Sequence, residues 1–143
     1  MPEVKLATLS GPDRDIPIIV CGDINDGPGF DASERQLGGS GIEDLMGSVW
    51  KSELTLGNAL YDALPEKKRT AIDLSSIRTT SYRDPIFDRF IKVWIDHILY
   101  SRQHGEWVKE GKVHDEMPSG AMIWDEFPHA SDHHPVSAVL NVP

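Results

Sequence analysis

The chain has 143 residues, 39% hydrophobic and 26% charged, and a formal net charge of −9. That balance suits one globular domain with a real core and argues against disorder of the whole chain. No apolar run approaches the roughly 20 residues that cross a bilayer. The acidic charge disfavours tight, non-specific binding of phosphate backbones, and the single cysteine excludes an internal disulfide.

Residues 1–15 read as a turn-rich lead-in broken at Gly11-Pro12-Asp13, and 16–143 as a single domain. Met1–Ser10 holds no cationic stretch followed by an apolar core, so no secretory signal is visible; a native start at Met1 implies the cytoplasm. Ile16–Cys21 is a continuous β-rich run, predicted to be a fully buried strand with Cys21 as a small buried hydrophobe. It ends at Gly22-Asp23, before the loop Asn25-Asp26-Gly27-Pro28-Gly29. Asp31–Leu37 suggests one or two helical turns. Ile42–Trp50 and Leu54–Leu64 carry helical spacing interrupted by Gly47 and Gly57, and Pro65 closes the second. Thr79–Arg83 is strand-like, with a turn at Asp84-Pro85. Ile91–Tyr100 alternates on two largely apolar faces, which predicts a central strand covered on both sides. Trp107–Val113 is expected to pair with it across a turn at Gln103–Glu106, and Val136–Val142 forms the last strand. The sum is an α+β domain.

Three segments carry chemistry. In Gly22-Asp23-Ile24-Asn25, an extended backbone would point Asp23 and Asn25 the same way with Ile24 towards the core. The plain alternative is a turn, which Asp, Asn and Gly all favour. In Ile95-Asp96-His97-Ile98-Leu99, Asp96 lies within an apolar strand and needs a partner; orienting an imidazole would supply one. His97 falls on the opposite face and reads as structural. In Ser131-Asp132-His133-His134-Pro135-Val136, Asp and His are metal-ligand and acid/base types, and at most one of the adjacent histidines can enter a single site. A structural zinc site lacks both a second cysteine and helical His spacing, and no Gly-x-Ser-x-Gly elbow points to a serine hydrolase. Trp50, Tyr61 and Tyr82 suit stacking or a core, and Arg78 and Arg83 suit phosphates or a solvated surface.

In their order, the three segments resemble the endonuclease/exonuclease/phosphatase superfamily: its Gly-Asp-x-Asn motif, its Ile-Asp-His/Tyr-Ile-Leu strand and its terminal Ser-Asp-His motif. The resemblance runs from Ile16 to Val142. It implies half of a four-layer αββα sandwich, because members of that family are about twice this length. It also implies a Mg²⁺-dependent (or Mn²⁺-dependent) hydrolase of phosphodiester bonds. Asp23 would orient or deprotonate the attacking water, and Asn25 would bond the scissile phosphate. His133 would bind phosphate and transfer a proton, and Asp96 would orient His133. Asp132, with His133, would lie at the metal. The family's early Asn and metal-binding Glu have no match here, so the chain would be incomplete alone and would form a homodimer or join a missing N-terminal half. A phosphate ester would be the substrate, with nucleic acid among the candidates. A silent fragment or interaction module that keeps the motifs, and a phosphomonoesterase, are the alternatives.

Overall fold

The computed structural model describes residues 17–27, 36, 38–47, 55–69, 77–115 and 131–141. Its strands are β1 (Ile19–Asp23), β2 (Leu56–Asn58), β3 (Thr80–Asp84), β4 (Arg89–Val93), β5 (Asp96–Ser101), β6 (Val108–Val113) and β7 (Val136–Leu140). Between them lie two short helices, α1 (Gly41–Met46) and α2 (Ala59–Asp62), and 3-10 turns at Glu66–Lys68 and Arg102–Trp107. The content is mixed helix and strand, in small antiparallel sheets with no closed barrel among the described residues.

β5 is the centre of the main sheet, with β1 on one side and β2 on the other. Leu99, Leu56 and Ile42 form the buried core, with Val20, Ile24, Leu45 and Met46 packed against them. The alternation of β5 explains this, since His97, Leu99 and Ser101 share the face turned to α1. α1 is held at its start by side chains: the Ser40 hydroxyl accepts from the Glu43 N–H, and Asp26 accepts from the Ile42 N–H at 2.8 Å. It stops at Gly47, whose φ of 89° favours glycine.

Several expectations are corrected. The Ile91–Tyr100 strand is two strands, because Trp94 and Ile95 leave the ladder and β4 pairs with β3, whereas β5 pairs with β1 and β2. The Leu54–Leu64 helix is divided: Leu56–Asn58 joins the sheet, and only Ala59–Asp62 is helical. Gly57 is what allows the sheet there, since a Cβ at that position would lie 2.4 Å from the Tyr100 ring. Trp107–Val113 pairs with β7 and not with β5. Among the described residues β1 lies at the edge of the sheet, where Ile19 and Cys21 are exposed and Val20 is half-buried. The lead-in 1–15 and nearly all of Asp31–Leu37 lie outside the described residues.

Candidate functional site

The end of the main sheet collects the chemistry. Antiparallel register sets Asp23 of β1 directly opposite Asp96 of β5, so the two carboxylates share one face. The third segment arrives just before β7: Thr80 bridges to His133, and the Thr80 hydroxyl donates to the Asp132 carbonyl at 2.6 Å. The neighbouring Thr79 is fully buried. Its hydroxyl oxygen accepts from the Ile95 and Asp96 N–H groups, each at 3.1 Å, and its carbonyl accepts from the His134 N–H at 2.6 Å. Thr79 and Thr80 thus weld the start of β5 to the His133 segment.

The result is a His133 Nδ1 to Asp96 Oδ2 contact of 2.8 Å across 37 positions of sequence. A carboxylate accepts only, so Nδ1 carries the proton and Nε2 is left for chemistry. Burial works to lower the His133 pKa. The hydrogen bond and charge of Asp96, then the charges of Asp132 and Asp23, outweigh it and raise the pKa above the ordinary imidazole value.

Asp23 is exposed, and its Oδ1 accepts from the Asn25 N–H at 2.8 Å. Asn25 has a φ of 56°. The segment is therefore a turn at Asn25 and not the extended pair of side chains that spacing alone suggests; asparagine is among the few residues that tolerate this conformation. Ile24 does point to the core, and its N–H donates to the Ile95 carbonyl at 2.8 Å. Asp132 is exposed, with Oδ1 3.9 Å from His133 Nε2.

His97 stands apart from these groups. It is fully buried and stacked on Trp94, with Nδ1 2.9 Å from Asn58 Nδ2 and Nε2 2.9 Å from the Asp26 carbonyl. The amide donates and the carbonyl accepts, which fixes the neutral tautomer with hydrogen on Nε2. Burial lowers its pKa, although the Asp26 carbonyl and the nearby carboxylates act in the other direction. Burial also lowers the pKa of His134, helped by Arg78. Of the other sequence candidates, Arg83 pairs with Asp88 on the surface, and Arg69 lies over the half-buried Tyr61 ring at 5.3 Å from its centre. Trp50 and the Tyr82 side chain lie outside the described residues.

Thr79 and Thr80 are the site-building residues that sequence reasoning missed. Threonine in a strand carries no signal of its own, because its hydroxyl partners come from other segments.

Among the described residues no group of three or more His, Cys, Asp or Glu side chains converges to hold a metal ion. His133 Nδ1 is already engaged by Asp96, and Mg²⁺ prefers oxygen ligands. The described residues do not by themselves make up a Mg²⁺ site. Comparisons with protein-family models, curated proteins and solved structures found no match.

Proposed function

We propose that the chain carries the Asp–His portion of a hydrolase site for phosphoric diesters. The observation that carries this reading is the His133–Asp96 bond, with Asp23 aligned opposite Asp96 at the same sheet end. A cationic His133 suits a phosphate oxygen and proton donation to a departing alkoxide. Asp23 suits orientation of the attacking water and acceptance of its proton as the P–O ester bond breaks, and Asn25 suits a bond to a phosphate oxygen. Asp96 holds His133 in the tautomer that keeps Nε2 outward.

The same reading takes the fold as one half of a four-layer αββα sandwich, to be completed by a second copy or by a further half. A requirement for Mg²⁺ or Mn²⁺ belongs to the proposal. Asp132 Oδ1 lies 3.9 Å from His133 Nε2, and the remaining ligands would come from outside the described residues; no step above runs through the ion. The second reading is a chain that keeps the motifs without turnover.

The test is hydrolysis of bis-p-nitrophenyl phosphate with Mg²⁺ or Mn²⁺, beside His133→Ala and beside a chelated sample. Turnover should fall by roughly 10²–10⁴-fold in the variant, the usual worth of a positioned acid or base, and should vanish on chelation. Wild-type turnover no higher than that of the variant selects the silent reading. Faster cleavage of p-nitrophenyl phosphate than of the diester would reassign the site to monoesters.

A further inference from the structure

The β3–β4 hairpin grows out of the candidate site and ends in apolar side chains. Its base is the Thr79–Thr80 weld to Asp96 and His133. Its strands form a separate two-stranded sheet and pack chiefly against one another. At the far end Ile86, Phe87 and Phe90 are 82%, 68% and 73% exposed, the three most exposed large hydrophobic residues among those described. Grouped apolar exposure of this kind marks a contact surface more often than isolated exposure does.

The charge of the hairpin is opposite to that of the chain. Thr80–Val93 holds Arg83, Arg89 and Lys92 against Asp84 and Asp88, a formal +1 within a chain of −9. Arg89 and Lys92 are exposed, and the Arg89 guanidinium lies over the Phe87 ring at 5.4 Å from its centre. Apolar side chains at a tip with cations behind them match an interface with apolar depth and anionic headgroups.

We infer that this tip docks the protein on an anionic phospholipid bilayer, and that the phosphodiester presented to the site is a headgroup ester. Only the second clause rests on the hydrolase reading; docking does not require turnover. Dimensions support the pairing. From Thr80 to Asp84 the strand advances about 13 Å at roughly 3.3 Å per residue. An apolar element buried by about 5–10 Å leaves the His133 end about 3–8 Å above the surface it enters. That is within one headgroup layer, roughly 5–8 Å thick. Nucleic acid fits less well. Phe87 and Phe90 offer rings that a base could stack on, but a polyanion lying along the protein would meet the −9 charge that a tip-first bilayer contact avoids.

The experiment is co-sedimentation of the full chain with phosphatidylcholine vesicles, with and without phosphatidylserine, beside Phe87→Ser/Phe90→Ser and Arg89→Glu/Lys92→Glu. All four side chains are exposed, so both variants should keep the wild-type circular dichroism spectrum. Wild type should bind the phosphatidylserine vesicles, the aromatic variant at least tenfold less, and the charge-reversed variant should lose the preference for phosphatidylserine. Hydrolysis of soluble bis-p-nitrophenyl phosphate should be unchanged in the aromatic variant, which separates docking from chemistry. The inference is overturned if wild type does not sediment with either vesicle or if the aromatic variant binds as wild type does. It is equally overturned if the phenylalanines instead prove necessary for binding a single-stranded oligonucleotide or for self-association.

Discussion

At the scale of single residues, one proton has an assigned position and one carboxylate holds it there. Nδ1 of His133 donates to Asp96, and that bond with its charge is the largest influence raising the His133 pKa against the effect of burial. Asp96→Asn keeps an acceptor in nearly the same place and removes the charge. The His133 pKa should therefore fall, which a titration of imidazole signals by NMR would detect; an unchanged midpoint would mean that Asp96 does not control His133. The sequence allowed Asp96 and His133 to be paired by resemblance, and the structure joins them physically. It did not allow the Asn25 turn to be separated from an extended pair, because Asp, Asn and Gly serve both. Nor did it show the exposure of Cys21: an apolar run such as Ile18-Ile19-Val20-Cys21 looks the same at the edge of a sheet as at its centre, and only the order β1–β5–β2 distinguishes them.

Elements meet here through backbone at close range and through a few buried hydroxyls, neither of which periodicity reports. Alternation located β5 and β7 but merged β4 with β5, since Trp94-Ile95 continues the apolar pattern while the Ile95 and Asp96 N–H groups turn to Thr79. Thr79→Val keeps the shape and removes the acceptor of two N–H groups. It should cost about 1–3 kcal/mol in urea denaturation, with Thr79→Ser losing less because the oxygen remains. A larger loss in Thr79→Ser than in Thr79→Val would show that the methyl group, and not the hydroxyl, holds the weld. Gly111 makes the corresponding contact between β6 and α2. A Cβ there would lie 2.0 Å from the Ala59 carbonyl oxygen, which is backbone and cannot turn aside. Gly111→Ala should therefore destabilise by about 1–3 kcal/mol through overpacking. A neutral result would mean that β6 and α2 are further apart than described.

For the whole molecule, the histidines set competing responses to acid. His97 and His134 have lowered pKa values, so the unfolded chain binds their protons before the folded one does; that contribution is complete above the ordinary imidazole value and is lost as pH falls towards the folded values. His133 has a raised pKa and acts in the opposite sense, adding stability below the ordinary value that is lost as pH rises through the folded one. Protonation of carboxylates also relaxes the repulsion of a chain at −9. His97 should dominate the loss, because it is fully buried with both ring nitrogens committed, whereas His133 is partly exposed. A second proton on Nδ1 would break the bond from Asn58 and leave a buried cation. Urea midpoints measured from pH 7 to pH 5, with salt near 0.15 M to screen surface repulsion to about 8 Å, should therefore fall for wild type. In His97→Gln, which offers a donor and an acceptor but no titration, stability at pH 7 should be lower and the further fall towards pH 5 shallower. A variant whose slope matches wild type would move the acid sensitivity to His134 or to the carboxylates, and would remove His97 as the group that links this fold to pH.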